Sequence, residues 1–169
     1  MAQEYADNLV IIVVTGPESC GKSTLCSALG AHLNMPVIDE PARAYMQSRS
    51  NYQPSDLLKL LDLQIAAEKK ASQLILDTDL LTLIIWWREK YGPVPAAFQT
   101  AMKTQSPRQY LLCAPDIQWH PDPLRENPHD RERLFDVYQR ELEGRKLPFN
   151  VIEGAGDSRL ECALAALKV

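Results

Sequence analysis

The sequence predicts a single α/β domain in which a five-stranded parallel sheet carries helices on both faces. Five short apolar segments alternate along the chain with segments of helical periodicity, as expected of parallel strands joined by crossover helices. The apolar segments are nearly continuous, like strands that are buried on both faces. The length of 169 residues suits one domain with a full core, so we expect residues 1–169 to fold as one unit.

The predicted strands are short runs of apolar residues, many of them β-branched. In chain order they are Leu9–Thr15, Pro36–Asp39, Leu74–Asp77, Gln109–Cys113 and Phe149–Glu153. The predicted helices carry apolar residues at helical spacing. In chain order they are Lys22–Leu33, Pro41–Arg49, Ser55–Gln73, Leu80–Tyr91, Pro95–Thr104, Asp130–Glu143 and Arg159–Leu167. Ser55 and Asp56 after Pro54 are typical of a helix start, whereas Gly92-Pro93 and Gly144 are typical of helix ends.

The segment from Gly16 to Ser23 has the pattern G-x-x-x-x-G-K-S and connects the first strand to the first helix. In this position, backbone N–H groups and the positive end of the helix form a site for phosphate. Lys22 is expected to reach the β- and γ-phosphates, and the Ser23 hydroxyl is expected to bind Mg²⁺. The pattern therefore predicts a P-loop that binds ATP and Mg²⁺. The residues expected at the nucleotide are Gly16, Glu18, Ser19, Cys20, Gly21, Lys22, Ser23 and Thr24.

Composition and charge exclude several other classes of protein. The hydrophobic fraction of 46% and the charged fraction of 24% are ordinary for a globular domain. A net charge of −4 without a basic face argues against nucleic acid as a partner. The chain has no apolar run long enough to span a bilayer, and its first residues do not resemble a secretory signal. We therefore expect a cytoplasmic protein.

The four cysteines form no C-x-x-C pair and no zinc-binding spacing with the histidines. We expect Cys26, Cys113 and Cys162 to behave as small apolar residues. Cys20 differs because it lies inside the P-loop, where the helix N-terminus and Lys22 could lower its thiol pKa. A redox-sensitive thiol and a small residue tolerated by the loop both remain open for Cys20.

The third strand ends in Asp77, which is followed by Thr78 and Asp79. A carboxylate at the end of a strand behind a P-loop orders the Mg²⁺ shell, usually through water. Asp77 best fits this role. Asp79 could cap the helix that starts at Leu80, bind a substrate hydroxyl, or do both.

The second strand ends in Asp39 and Glu40, and Arg43 follows one turn later. A kinase needs a carboxylate there to orient the acceptor hydroxyl and to receive its proton. Glu40 is the favoured catalytic residue, with Asp39 as a second substrate-binding residue. The alternative is that both carboxylates only favour the dipole of the next helix. Arg43 could pair with Glu40 or bind phosphate.

Residues 114–130 form a proline-rich segment after the fourth strand, and we expect a lid there because long loops in compact domains are usually functional. Arg125 lies in this lid, and Arg131 and Arg133 follow it. An arginine that closes over the transferring phosphate stabilises the transition state. We place Arg125 first as the catalytic arginine and Arg131 at the nucleotide. Exposed ion pairs with neighbouring acids are the alternative.

Several aromatic residues are expected near the pocket, where they could stack on a flat cationic heterocycle. They are Tyr45, Trp86, Trp87, Tyr91 and Trp119. Trp86 and Trp87 are adjacent in a helix and point about 100° apart, so at least one should belong to the core. The glycine turn at Gly156 could let adenine lie against the backbone, although a plain strand-to-helix turn explains it nearly as well.

Five segments together resemble the ribosylnicotinamide kinase domain of the NadR-type NAD-salvage proteins. They are GPESCGKSTL at 16–25, DEPARAY at 39–45, DTDLLT at 77–82, PDIQWHPDPLR at 115–125 and YQRELE at 138–143. The resemblance spans most of the chain and implies MgATP-dependent phosphorylation of the ribose 5′-hydroxyl of nicotinamide riboside, which gives nicotinamide mononucleotide.

Individual residues of this sequence match the family pattern. Lys22 and Ser23 match its P-loop, and Glu40 and Arg43 match its E-x-x-R segment. Its D-T-D segment is matched by Asp77 and Asp79, which implies metal and riboside binding. Trp119 and Asp122 match the lid segment, which implies contacts with the substrate.

The chain also departs from the family. We expect no adenylyltransferase or DNA-binding domain, because 169 residues leave no room for them. Cys20 stands where serine is more usual, Pro41 where an aromatic residue is common, and Leu83 where a second threonine is expected. Two alternatives to the riboside kinase remain: a kinase of another nucleoside, and an ATP-binding regulatory module without catalysis. The sequence does not predict an oligomeric state.

Overall fold

The computed structural model describes residues 11–47, 51–69, 73–121 and 129–169. These residues form a five-stranded, fully parallel sheet with the strand order β2-β3-β1-β4-β5. The strands are β1 (Ile11–Thr15), β2 (Val37–Ile38), β3 (Leu74–Asp77), β4 (Gln109–Cys113) and β5 (Phe149–Ile152). The predicted five-stranded parallel sheet is confirmed. Strand β1 lies in the centre, between β3 and β4.

Helices follow the strands as predicted. They are α1 (Lys22–Leu33), α2 (Pro41–Met46), α3 (Pro54–Glu68), α4 (Leu80–Tyr91), α5 (Ala96–Thr104), α6 (Arg131–Gly144) and α7 (Asp157–Leu167). Helices α1 and α4 have the predicted bounds. Helix α3 begins one residue earlier than predicted, because Pro54 fits the first helical position and Gln53 forms a capping box with Asp56. It also ends before Gln73, which lies directly ahead of β3.

The two faces of β1 contact different layers of helices. Ile12 and Val14 pack with residues of α1 and α7 on one face. Ile11 and Val13 pack with residues of α4 and α6 on the other face. Successive side chains of a strand point to opposite faces, and all four of these side chains are buried. The predicted helical cover on both faces is therefore present.

A third core cluster holds α4 in place from its outer side. It joins α2, α3, α4 and α5 through buried residues that include Leu57, Leu60, Ile84 and Phe98. Trp87 of α4 belongs to this cluster, with its indole nitrogen donating a hydrogen bond of 2.9 Å to the Pro93 carbonyl. Helix α4 is thus packed against the sheet and against α3 and α5.

The strand order reverses direction at β1, because β3 and β4 flank it. Ligands of open α/β sheets bind at such a point, beyond the carboxyl ends of the strands. The P-loop follows β1. The segments that follow β2, β3 and β4 start at the same carboxyl edge of the sheet, because the strands are parallel. In the part of the chain that the structure describes, no helix is long and apolar enough to cross a membrane.

Candidate active site

Two glycines give the P-loop its shape. Gly16 has φ 135°, and a Cβ atom there would lie 2.8 Å from the Cys113 carbonyl oxygen, so a larger residue would collide with the end of β4. Gly21 has φ 77° and caps the N-terminus of α1. Ser19, between them, also has a positive φ of 53°. Because L-residues with side chains rarely adopt these angles, the glycines of the motif are required by the loop conformation.

A cavity of about 490 Å³ lies between the P-loop and the helices α2, α4 and α6. The P-loop forms one end, and aromatic and charged side chains from α4 and from the segment before α3 form the other. The lining residues are Gly16, Pro17, Glu18, Ser19, Cys20, Gly21, Lys22, Ser23, Thr24, Glu40, Ala42, Arg43, Met46, Asn51, Tyr52, Thr78, Thr82, Ile85, Trp86, Glu89, Lys90, Arg133, Leu134 and Tyr138. All the P-loop residues predicted to bind nucleotide are in this set.

Lys22 points back into the loop that carries it. Its Nζ donates a hydrogen bond of 2.6 Å to the Pro17 carbonyl and lies 3.8 Å from the sulfur of Cys20. Burial lowers the pKa of Lys22, but the negative charges of Cys20, Glu40 and other groups outweigh burial and hold it above its usual value. The side chain therefore stays protonated, as a phosphate ligand must.

Ser23 and Asp77 form the polar pair expected at a magnesium site. The Ser23 hydroxyl donates a hydrogen bond of 2.5 Å to Oδ2 of Asp77. The other oxygen, Oδ1, is buried and has no hydrogen-bond partner among the described residues. A buried carboxylate oxygen without a partner is unfavourable and leaves a position for a ligand.

The donor set fits Mg²⁺. This ion is usually held by one or two protein oxygens, with water and substrate phosphates completing its shell. No group of three or more possible metal-binding His, Cys, Asp or Glu residues occurs in the described ranges, which suits a site that substrate phosphates complete. Ser23 and Asp77 are the residues that would hold the ion.

Glu40 ends the loop after β2 and lies at the N-terminus of α2, where it lines the cavity. Burial raises the pKa of Glu40, and the charges of Lys22 and Arg43 and a hydrogen bond from Thr78 offset part of that shift. A carboxylate with a raised pKa is a better proton acceptor near neutral pH. Arg43 lines the same cavity one turn later, whereas Asp39 is exposed and outside the lining.

Thr78 lines the cavity, although no sequence pattern predicted it as a site residue. It connects β3 to α4 with a φ of 66°, which is unusual for a β-branched residue. Its backbone N–H donates a hydrogen bond of 2.9 Å to the Val14 carbonyl, and its side chain forms a hydrogen bond with Glu40. Backbone strain of this kind persists where surrounding contacts fix it, and it clusters at functional sites.

Asp79 does not line the cavity. Its carboxylate accepts a hydrogen bond of 3.0 Å from the Leu81 backbone and caps α4. It also pairs with Arg108 at 3.1 Å and accepts a hydrogen bond of 2.7 Å from Tyr110. Burial raises the pKa of Asp79, and Arg108 and Tyr110 oppose that shift. The structure shows the predicted helix-cap role of Asp79, and its predicted contact with the substrate stays a prediction.

The aromatic residues divide between the cavity and the core. Trp86 lines the cavity and stacks on Tyr52 with ring centroids 6.1 Å apart. Trp87 is buried against Phe98, so one of the two tryptophans is core, as predicted. The Tyr45 hydroxyl donates a hydrogen bond of 2.9 Å to Asp56, and Tyr45 does not line the cavity. Tyr52 was not predicted, since it stands alone in a polar stretch.

The predicted lid is described at residues 114–121 and 129–130, which contain no helix or strand. The predicted residues Asp122 and Arg125 lie outside the described residues. Trp119 does not line the cavity, and its indole nitrogen is buried with no hydrogen-bond partner among the described residues. Gly156, with φ 55°, caps α7 and is also outside the cavity lining.

Arg131 connects the lid segment to the P-loop. Its guanidinium donates hydrogen bonds of 3.0 Å to the carbonyls of Ser19 and Ile117. The backbone N–H of His120 adds a hydrogen bond of 2.9 Å to the Ser19 hydroxyl. Arg131 therefore contacts the P-loop. Arg133 instead lines the cavity and forms an ion pair with Glu89.

Arg159 supports the P-loop from the other side. No sequence pattern predicted this role, because Arg159 is a single arginine after the Gly156 turn. It donates hydrogen bonds of 2.7 Å to the Cys20 carbonyl, 2.6 Å to the Gly154 carbonyl and 3.3 Å to the Ala114 carbonyl. It is 4% exposed and pairs with Asp116. One buried guanidinium thus joins the P-loop, the lid segment and the turn after β5.

Cys20 is fully buried beneath the loop, with its thiol 2.8 Å from the Pro17 carbonyl. Burial raises the pKa of Cys20, but a hydrogen bond with Cys113 and the charges of Lys22 and Arg159 outweigh it and lower the pKa to about 6. The position of Cys20 beside Lys22 and Arg159 therefore favours its thiolate form more than an ordinary cysteine site does.

Comparison with known proteins identifies the family. A family model described as AAA domain matches residues 11–159. The chain belongs to this AAA domain family. The match runs from β1 into α7 of the AAA domain and includes the P-loop and Arg159. Among curated proteins, none is similar enough in sequence to count as a match.

Solved structures share the fold of this AAA domain at low identity. NadR in complex with NR has a TM-score of 0.78 and 18% identity, over 96% of this chain and 52% of that one. NadR with NAD and AMP-PNP has a TM-score of 0.72 and 17% identity, over 98% and 51%. Deoxyadenosine kinase from M. mycoides with bound products has a TM-score of 0.68 and 15% identity, over 94% and 98%. The chain thus spans about half the length of the NadR chains. The predicted P-loop kinase-like fold and the resemblance to NadR are confirmed at the level of the fold.

Proposed function

We propose that this chain is an ATP-dependent kinase that phosphorylates the ribose 5′-hydroxyl of nicotinamide riboside and yields nicotinamide mononucleotide. The observation that carries the proposal is the set of side chains that line the cavity next to the P-loop. A P-loop lysine, a half-buried carboxylate with raised pKa and an aromatic stack line the same space. These are the groups needed to hold a triphosphate, activate a hydroxyl and bind a flat ring.

At the donor end, the P-loop backbone and Lys22 would hold the β- and γ-phosphates of ATP. Lys22 would exchange the Pro17 carbonyl for phosphate oxygens, which are stronger partners because they are charged. Ser23 and Asp77 would hold Mg²⁺, which when bound neutralises charge that develops on the phosphates.

At the acceptor end, Glu40 would accept the proton of the 5′-hydroxyl. The hydroxyl oxygen then bonds to the γ-phosphorus while the bond to the β,γ-bridging oxygen breaks, so that ADP leaves. Thr78 would keep the Glu40 carboxylate oriented through a hydrogen bond, and the positive charge of Arg43 would offset the negative charge of Glu40. Arg133 also lines the cavity and would approach the transferred phosphate.

The ring of the acceptor would lie against the Trp86–Tyr52 stack. Aromatic faces attract cationic rings, and the pyridinium of nicotinamide riboside is such a ring. The NadR structure that shares this fold was solved with NR, which supports the same assignment of substrate.

The direct test combines the protein with MgATP and nicotinamide riboside and identifies the products. We expect ADP and a riboside monophosphate, with mass spectrometry giving nicotinamide mononucleotide and phosphorus NMR placing the phosphate on the 5′-oxygen. Lys22→Ala, which removes the phosphate-binding cation, is expected to form neither product. Release of inorganic phosphate without a phosphorylated riboside would refute the proposal.

A further inference from the structure

Helix α4 forms one wall of the cavity along its whole length. Thr82, Trp86 and Lys90 line the cavity at successive turns of the helix. An α-helix rises 1.5 Å per residue, so Lys90 lies about 12 Å farther along the axis than Thr82. Thr82 is four residues after Thr78, whose side chain hydrogen-bonds to Glu40 at the reacting end. The wall is therefore long enough for a ribose and an attached ring, with Lys90 at the far end of the ring.

Lys90 is held at this end by three contacts. Its Nζ lies 3.7 Å from the centroid of the Tyr52 ring. It donates hydrogen bonds of 2.8 Å to Oδ1 of Asn51 and 3.4 Å to the Tyr52 carbonyl. The Tyr91 hydroxyl donates to the same Tyr52 carbonyl at 2.7 Å, which fixes the segment against α4. The ammonium group thus already occupies one face of the aromatic stack.

The charge of Lys90 has no acidic partner in the cavity. Within the described residues no carboxylate forms an ion pair with Lys90, and the oxygens that it contacts are uncharged. Glu89, the nearest acid in sequence, pairs instead with Arg133 at 2.6 Å. The ring end of the cavity therefore presents a positive charge to its ligand.

We propose that Lys90 makes this cavity selective for a riboside whose ring carries an anionic substituent, so that the riboside of nicotinic acid is preferred over that of nicotinamide. The proposal rests on the proposed function and specifies its substrate. The pyridinium of nicotinamide riboside brings a second positive charge to the end of the cavity where Lys90 lies, and like charges repel. Nicotinic acid riboside carries the same pyridinium together with a carboxylate, which can accept a charge-assisted hydrogen bond from Lys90.

The test compares kcat/KM for the two ribosides with MgATP. Because Lys90 is exposed and screened, an ion pair there is worth about fivefold in binding. We expect the wild-type protein to prefer nicotinic acid riboside by about fivefold, and the preference should shrink as NaCl is raised. Lys90→Met should remove the preference, mainly by lowering kcat/KM for the acid, and Lys90→Arg should retain most of it.

Lys103→Met is the matched control, because Lys103 is an exposed lysine of α5 outside the cavity; it should leave the ratio unchanged. Equal rates on both ribosides, or a ratio that Lys90→Met does not alter, would overturn the role of Lys90 while leaving the kinase intact. Absence of phosphorylation of both ribosides would instead refute the proposed function itself.

Discussion

The Ser23 hydroxyl donates a 2.5 Å hydrogen bond to Asp77 across 54 positions of sequence. The contact joins the start of α1 to the end of β3, at the carboxyl edge of the sheet. It leaves Oδ1 of Asp77 buried without a partner among the described residues. The two side chains thus lie where the proposed kinase would hold Mg²⁺.

Asp77→Asn is expected to lower kcat by about 100-fold or more, because the amide cannot supply the charge that the ion requires. The Mg²⁺ concentration that gives half-maximal turnover should rise as well. Steady-state kinetics at several Mg²⁺ concentrations measure both effects. Asp62→Asn, an exposed change on α3, is the control. A variant with normal turnover at low Mg²⁺ would remove Asp77 from the metal site.

Glu40→Gln is expected to lower kcat by about 100-fold while the affinity for ATP is retained, since it removes the proton acceptor and keeps the shape. The wild-type rate should also depend on pH. The base is active only when ionised, and burial raises its pKa above 4.5, so activity should fall as the pH drops through that raised value. This acid limb should be absent from the residual activity of Glu40→Gln. An unchanged pH profile would assign the limb to another group.

Asp79→Asn tests whether Asp79 stabilises the fold or contacts the substrate. Removing one member of a buried ion pair costs about 3 kcal/mol, so the free energy of unfolding in urea should fall by about that amount. The KM for the riboside should stay within about twofold, because Asp79 lies outside the cavity. A large rise in that KM in a normally stable variant would place Asp79 at the substrate site.

Arg159→Leu should weaken ATP binding through the loop that Arg159 supports. The carbonyls of Cys20, Gly154 and Ala114 would lose their donor, and unpaired buried groups cost about 1–3 kcal/mol each. We expect a lower melting temperature and a KM for ATP raised by about tenfold, since the loop is no longer held in its binding shape. Arg159→Lys should recover part of the affinity, and Arg140→Leu on the exposed side of α6 should change nothing. An unaltered KM for ATP in a stable Arg159→Leu protein would contradict this role.

Local patterns were sufficient to predict the sheet, most of the helices and the P-loop residues that line the cavity. The P-loop is contiguous, and its flanking strand and helix are both periodic, so Lys22 and Ser23 could be placed from spacing alone. Glu40 and Asp77 were found because each follows an apolar strand, and parallel strands bring their carboxyl ends together.

Residues that act through long-range contacts could not be predicted in the same way. Arg159 reaches Cys20 across 139 positions, and Tyr52 meets Trp86 only when α3 packs on α4. Asp79 followed the D-T-D pattern, yet its ion pair with Arg108 depends on a residue 29 positions away, just before β4. In each case the deciding partner is set by packing and is absent from the local sequence.

The most direct test of the central claim is the acceptor specificity of the purified protein. With saturating MgATP, kcat/KM would be measured for nicotinamide riboside, uridine, cytidine, thymidine and deoxyadenosine under one set of conditions. A cavity with Glu40 at one end and the Trp86–Tyr52 stack at the other predicts that nicotinamide riboside is phosphorylated far faster than the other four nucleosides. Equal rates on all five, or a preference for one of the other four, would contradict the account.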